Sequence, residues 1–423
     1  MDLGSEARFE AYVEALASVI GHADRARPLR DYCTGLVLPG ERKSVEPIAA
    51  RTAPTRTSAQ HQSLLHFIGA GPWSDEKVLS KVRELVLPAI EKRGPIEAWI
   101  IDDTAFPKQG QHSVGVQPQY CGELGKQANC QVTVSLSVAN HFASLPVACR
   151  LYLPKEWAQD RARREKAGVP DDIGFKTKPQ IALELIRRAC EAGVPRGVAM
   201  ADVDYGRDSG LRAGVTALRL PYVFAVQPKV LVWPPGGRPK RRGKPLNNTG
   251  RRGEPDLISA KEVALGLPKH AWRTIRWREG SAGWLSSRFA RVRVRVGYNK
   301  AIPDLLCEET LLIEWPEGED EPTKYWLSTL PAKTSFRRFV DIAKLRWRIE
   351  RDYQELKQEV GLDHYEGRGW RGFHHHATLC IATYGFLAAE RATIPPSGPR
   401  STALFQTPLL PEGYRPRGSP LAA

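Results

Sequence analysis

Two short apolar runs that stop on acids constrain the fold most. "EAWIIDDTAF" and "GVAMADVDYG" both read as buried strands closed by aspartates. Between them, "CQVTVSLSVAN" and "LPVACRLYLP" alternate Val and Thr as strands do, and "KTKPQIALELIRRACEAG" has helical spacing stopped by Gly193. "SGLRAGVTALRL" is helical again, and "PYVFAVQP" is another buried-type strand. The first three strand runs make an antiparallel meander. Strands interleaved with helices then point to a mixed α/β sheet.

The flanks differ in character. Residues 1–92 read as a small helical N-terminal domain, carried by "SEARFEAYVEALASVIGH", "SAQHQSLLHFIGAGPW" and "SDEKVLSKVRELVLPAIEKRG". Ser74, Asp75 and Glu76 suit the start of a helix. This domain is a candidate for DNA binding, although it lacks a clear helix-turn-helix signature. Residues 93–228 and 323–392 hold the α/β pattern, ending in the apolar helix "FHHHATLCIATYGFLAAE". Residues 229–322 interrupt it with the loop-like "PPGGRPKRRGKPLNNTGRRGEP" and the strictly alternating "RVRVRV". The expectation is a basic, β-rich insertion with an arginine face. Trp233, Trp272, Trp277, Trp284 and Trp315 also lie there. Aromatics among arginines can stack on unpaired bases, yet most of these are expected to form the insertion's own core. The Pro/Gly-rich tail, 393–423, is expected to be disordered.

Charge distribution bears on partners. The 423-residue chain carries 62 basic and 47 acidic residues, a net +15. Residues 207–300 alone hold 21 Lys and Arg against 5 Asp and Glu, or +16, so the rest sums to −1. A field this localised is the footprint of a polyanion, most commonly nucleic acid; a merely solvated surface is the alternative. Seven scattered cysteines without a C-x-x-C argue against a disulfide framework and a cysteine zinc site, and point to a reducing cytoplasm. No apolar run reaches 18 residues, and the acidic, amphipathic N-terminus lacks the regions of a signal peptide, so neither membrane span nor export is expected.

"RWRIERDYQELKQEVG" reads as a helix in which Leu345, Ile349, Leu356 and Val360 form the apolar stripe. Beside it, Arg346, Glu350, Tyr353 and Lys357 form a polar row at spacing i, i+4, i+7, i+11. Taken alone, Arg346 and Glu350 are an ordinary helical ion pair worth about 0.2–0.5 kcal/mol. An Asp after a strand is usually a turn residue. Together, Asp102 and Asp202 at strand ends and Glu350 on a helix make a set of hard oxygen donors. Such a set suits two divalent ions of the kind that cut phosphodiesters.

Several motifs carry a family likeness: "IDDTAFPKQG", "GVQPQYCGELGKQANCQVTVSL", "LYLPKEWAQD", "ADVDYG" and "LRWRIERDYQELKQEVGLDHYEGRGWRGFHHHATL". They resemble bacterial insertion-sequence transposases of the DDE type, in the subgroup with a Tyr-Arg-Glu-Lys signature. The likeness runs from "ERKSVEPIAA" to "GFLAAE". It implies a ribonuclease-H-like catalytic core with a β-rich insertion before the last glutamate. It also implies cleavage at terminal inverted repeats and strand transfer into target DNA. Two Mg²⁺ ions per site, replaceable by Mn²⁺, and a homodimer or larger assembly on DNA go with it, as does a cytoplasmic, nucleoid-associated location. By the same likeness Asp102, Asp202 (rather than Asp204) and Glu350 are the catalytic metal ligands, with Asp103 as neighbour. Arg346 and Lys357 are expected to hold DNA phosphates. The signature Tyr falls on Ala343, so its contact is absent or supplied by Tyr353. Lys108, Arg241, Arg242, Arg291, Arg293 and Arg295 are further candidates for DNA contact, and Gln119 with Tyr120 follow the first motif. His374, His375 and His376 cannot converge on one ion from one helix, because successive residues point about 100° apart. The alternatives are a domesticated DNA-binding descendant acting as a regulator, and a nuclease on the same fold.

Overall fold

The computed structural model describes residues 3–233, 257–280, 283–297 and 308–393. Helices α1 (Leu3–Ala17), α2 (Ala26–Val37), α3 (Val45–Thr52), α4 (Thr57–Gly69) and α5 (Asp75–Glu91) come first. Ser74 caps α5, its hydroxyl accepting from the Lys77 amide at 3.3 Å. Strands β1 (Ala98–Pro107), β2 (Gln117–Cys121), β3 (Lys126–Ala139) and β4 (Ser144–Leu151) follow. Next come α6 (Lys155–Gln159), α7 (Arg161–Ala167) and α8 (Lys178–Glu191), then β5 (Val198–Ala201), α9 (Val203–Gly206), α10 (Ser209–Ala217) and β6 (Tyr222–Val226). Thr177 and Gln180 form a capping box at the start of α8, and Gly193 just past its end takes the left-handed conformation at φ +68.

Beyond β6 run β7 (Leu231–Trp233), β8 (Ile258–Ser259), α11 (Ala260–Leu265), β9 (Arg273–Gly280), β10 (Gly283–Val296), β11 (Glu309–Trp315) and β12 (Lys324–Ser328). Helices α12 (Phe336–Lys344), α13 (Trp347–Gln358) and α14 (Trp370–Thr393) close the described chain.

The meander is antiparallel: β4 pairs with β3, and β3 with β1. β5 then lies parallel to β1, and β6 parallel to β5, each reached through helices. The resulting order β4-β3-β1-β5-β6 is the ribonuclease-H-like arrangement that the motifs imply. The sheet continues through β12, β11 and β10, all antiparallel, so strands of the interrupting segment extend the central sheet. Lys344 of α12 reaches the buried Glu314 of β11 at 2.5 Å and ties that extension to the helices before the glutamate.

Each sheet face has its own apolar cover. Trp99 and Ile101 point to one side, into a core shared with α8, α14 and the N-terminal helices; Phe9, Val13, Leu36, Val82 and Phe386 belong to it. Ala98, Ile100, Met200 and Val223 point to the other side, against Phe339, Leu345 and Ile349. The period of two along β1 thus sends alternate side chains to different helices.

Two expectations need correcting. Asp102 is not at the end of its strand, because β1 runs on to Pro107 beside β3. Pairing of β1 with β5, however, ends at Ile100 with Met200, so the sheet opens on that side just before Asp102. The helical stretch from Ser335 is broken: α12 ends at Lys344 and α13 starts at Trp347. The Leu345 and Arg348 amides bond to carbonyls three residues back, a tight turn that keeps both Leu345 and Ile349 buried. The tryptophans whose ring contacts are described pack on residues of the insertion, as expected. Trp272 meets Trp315 edge-on at 5.2 Å, and Trp277 meets Phe289 at 5.6 Å. Trp284's side chain, Arg241, Arg242 and the tail beyond Thr393 lie outside the described residues.

Candidate active site

The sheet opening and the α12–α13 break bring distant acids together. Asp102 shares the face of Ile100 and so points toward α13. Asp202 follows β5 directly and caps α9, its Oδ1 accepting from the amides of Asp204 at 3.0 Å and Tyr205 at 3.2 Å. The glycine of the "DYG" stretch is required by packing: a Cβ on Gly206 would sit 1.9 Å from the Ala225 carbonyl of β6. Glu350 lies in the first turn of α13, with Ile349 fully buried beside it.

Arg346 stands between the three. Its guanidinium donates to Asp102 Oδ2 at 2.9 Å and to Glu350 Oε1 at 3.2 Å, and lies 3.8 Å from Asp202 Oδ2. Burial pushes the Asp102 carboxyl up to about 7, partly offset by Arg346 and reinforced by Asp202. Burial also raises Asp202, against its backbone hydrogen bonds and Arg346. The arginine is held in its charged form by the acids despite its own burial. Among the described residues, no three His, Cys, Asp or Glu side chains are close enough to hold a metal as they stand. Even so, Asp102 and Asp202 both turn an Oδ2 toward one shared cation, and that donor set suits a hard divalent ion. A cleft of about 450 Å³ opens beside them, lined by Asp202, Arg346, Glu350, Trp326 and Trp347. Ala343 also lines it, so the small residue at the signature Tyr position leaves this cleft open.

A second cluster lies on the reverse face of β1. Asp103 there accepts from Tyr205 Oη at 2.9 Å and from Lys178 Nζ of α8 at 3.2 Å. This links β1 to the turn that carries Asp202. Sequence reasoning had no route to Lys178: a lysine after a helix cap carries no signal until the sheet brings α8 over β1. Tyr205→Phe is expected to destabilise the protein by about 1.5–3 kcal/mol, the range for a hydrogen bond to a charged group. An unchanged urea midpoint would mean that Asp103 does without that hydroxyl.

The other candidates fall in several places. Lys357 Nζ reaches the Ala105 carbonyl at 2.9 Å and Glu123 in the β2–β3 turn at 2.7 Å. Tyr353 Oη meets Ser135 Oγ of β3 at 2.7 Å, so it supports the site from beneath. Lys108 is drawn away to the Tyr365 carbonyl at 2.6 Å. Gln119 bonds to the Cys130 carbonyl at 2.9 Å, while Tyr120 is 64% exposed. In "RVRVRV", Val294 and Val296 are buried. Arg291 reaches the Thr334 carbonyl at 2.6 Å, Arg293 reaches Thr310 at 2.8 Å and Glu308 at 3.2 Å, and Arg295 is half-buried. These three arginines are not gathered with the acids. The histidines are structural: His374 bonds to the Leu151 amide, His375 to the Ile68 and Trp73 carbonyls, and His376 to Tyr32 and the Gly361 carbonyl. Burial pushes His375 and His376 down to about 4, which keeps both neutral near pH 7, so His375, with one N–H, donates to only one of its two carbonyls at a time.

Comparison with known proteins gives the family. Residues 15–283 match the family model described as DDE superfamily endonuclease, and residues 181–386 match the one described as transposase DDE domain. The first span contains Asp102 and Asp202, the second Asp202 and Glu350. Over 168 residues the chain is 32% identical to a probable transposase for insertion sequence element IS701 from Microchaete diplosiphon, a match covering 39% of this chain and 40% of that relative.

Proposed function

We propose that this chain, which belongs to the DDE superfamily of endonucleases, is the transposase of an insertion sequence. It would cleave DNA at terminal inverted repeats and join the freed ends to target DNA. The observation that carries this reading is the convergence of Asp102, Asp202 and Glu350 on the Arg346 guanidinium, from three separate elements, at the mouth of a cleft. The name of the IS701 relative supports the element type.

Asp102, Asp202 and Glu350 would hold Mg²⁺, or Mn²⁺ in its place, as two ions per site. The metal would supply Lewis-acid stabilisation of the attacking and leaving oxygens. The chain's own work is to bind and orient. Arg346 and Lys357 border the acids as phosphate donors, and each is engaged by carboxylates that DNA would have to displace. Trp326 and Trp347 wall the cleft. The basic segment supplies long-range attraction for DNA. Assembly as a homodimer or larger complex on paired ends, and association with the nucleoid, follow from the same reading. Among the described residues no helix is long and apolar enough to cross a membrane.

Strand transfer tests the reading. Wild type and Glu350→Gln would be mixed with labelled, pre-cleaved element ends and plasmid, in Mg²⁺ and in EDTA. Joining is expected for wild type with metal alone, and a loss of about 10³-fold in the variant, several kcal/mol of transition-state stabilisation. Binding without joining by both proteins would turn the reading to a DNA-binding regulator. Cutting without joining would make it a nuclease.

A further inference from the structure

We propose that Tyr205 is a positioning residue: with Asp103 and Lys178 on the reverse face of β1, it sets the separation of Asp102 and Asp202, and with it the affinity of the site for a divalent ion. This rests on the metal reading above and gives the work of alignment to side chains that do not touch the ion.

The need for alignment arises in the sheet. Asp102 and Asp202 follow neighbouring parallel strands, yet β1 and β5 pair only from Ala98 with Val198 to Ile100 with Met200. The ladder stops two residues short of each acid. Two carboxylates held close together repel, and the repulsion acts to widen that opening. On the front face Arg346 bridges them, at 2.9 Å from Asp102 and 3.8 Å from Asp202. A divalent ion between the acids takes the place of that guanidinium. Arg346 therefore cannot be the group that keeps them aligned for the ion.

On the back, one residue spans the opening. Strand alternation turns Asp103 to the face opposite Asp102, where its Oδ2 accepts from Tyr205 Oη at 2.9 Å. The amide of the same tyrosine donates to Asp202 Oδ1 at 3.2 Å. Tyr205 thus holds Asp202 with its backbone and the neighbour of Asp102 with its phenol. Its ring is 1% exposed within the larger core, and close packing of that kind holds a side chain in one rotamer. The span is therefore stiff.

Lys178 explains why the partner on the reverse face is an acid. Thr177 caps α8 and places Lys178 at its first turn, with Nζ 3.2 Å from each oxygen of Asp103. A carboxylate accepts from the phenol and the ammonium together, and charge-assisted bonds are roughly twice as strong as neutral ones. Removing a group that orients a metal ligand typically costs about 10–100-fold in metal affinity or activity.

Mn²⁺ alone is the probe. Electron paramagnetic resonance would count the free ion as the full-length protein is titrated, for wild type, Tyr205→Phe, Asp103→Ala, their double variant, Asp103→Asn and Tyr222→Phe. Tyr205→Phe and Asp103→Ala are each expected to weaken Mn²⁺ binding by about 10-fold. The double variant is expected to lose no more than either, because both changes break the same contact. Asp103→Asn keeps an oxygen for the Tyr205 hydroxyl and is expected to stay close to wild type. Tyr222→Phe controls for lost stability. It removes the same kind of bond, to the buried Glu309 carboxylate at 2.7 Å, from the start of β6, at the end of the sheet away from Asp202. Its Mn²⁺ binding is expected to be unchanged. In strand transfer, Tyr205→Phe is expected to need about 10-fold more Mg²⁺ for half its maximal rate and to recover most of that rate at saturation. Wild-type affinity in Tyr205→Phe, additive losses in the double variant, or equal weakening in Tyr222→Phe would each overturn the proposal and leave the transposase reading intact. A wild type that binds no Mn²⁺ sinks the metal reading together with it.

Discussion

Replacing Arg346 with methionine is expected to lower the stability of the metal-free protein by about 3 kcal/mol near pH 7, the low end for removing one partner of a buried ion pair. Methionine keeps most of the apolar stem, so the loss reports the guanidinium. That group lies within 4 Å of three carboxylates, and Asp102, the best shielded, has only 13% of its side chain exposed. Without it, burial and mutual repulsion act on Asp102 and Asp202 against their backbone hydrogen bonds alone. Protonation of Asp102 limits the loss, which is why the low end of the range applies. Strand transfer is expected to fall by about 10²-fold, the effect of removing a charged group worth nearly 3 kcal/mol in the transition state. Adding Mn²⁺ should then raise the urea midpoint of the variant more than that of wild type, since only in wild type must the ion compete with a resident cation. Equal metal stabilisation of the two proteins would show that Arg346 and the ion do not share the acids. An unchanged metal-free midpoint would show that the contacts among these four side chains carry no net energy.

The residues that sequence could and could not give differ in a physical way. Asp102, Asp202, Glu350 and Arg346 stand inside local patterns, an apolar run ending in acid or a polar row beside an apolar stripe, and such patterns survive in one dimension. The antiparallel meander and the mixed α/β sheet were legible too, because strand and helix periods alternate along the chain, whereas the order β4-β3-β1-β5-β6 was implied only by the family likeness. The α12–α13 break was not: "FRRFVDIAKLRWRIERDYQELKQ" holds neither Gly nor Pro, and the turn at Leu345 exists only because the core beneath needs both Leu345 and Ile349. Lys178, Glu123 and Ser135 were invisible for a related reason. Each touches the site through one long-range contact, and no local spacing encodes that. The arginines of "RVRVRV" make the converse case. The alternation is obvious in sequence, yet it reports an extension of the sheet with Val294 and Val296 buried, and Arg291 and Arg293 spend donors on the protein's own oxygens.

Asp102→Asn is expected to act on stability with the opposite sign. In the fold the Asp102 carboxyl is raised from 3.8 to about 7, with burial the main cause. A raised carboxyl binds its proton more tightly folded than unfolded, so wild-type stability falls as pH climbs from about 4 to about 7. Below that window both states hold the proton and the group contributes no pH dependence. Above it, ionisation inside the fold costs on the order of 4 kcal/mol. Asparagine cannot ionise, so in EDTA the variant should match wild type near pH 4 and exceed it by up to about 4 kcal/mol near pH 8. The lost hydrogen bond from Arg346 offsets part of that gain. Joining should fall by about 10³-fold, because asparagine supplies neither the charge nor the second oxygen that a divalent ion needs. A variant that is both more stable and inactive would mark Asp102 as a group whose buried charge is retained for chemistry at the expense of the fold. Urea titrations of the two proteins from about pH 4 to pH 8 decide it. Parallel curves would mean that the carboxyl titrates in the fold as it does in water, and that Arg346 and the Asp103 amide together compensate its burial.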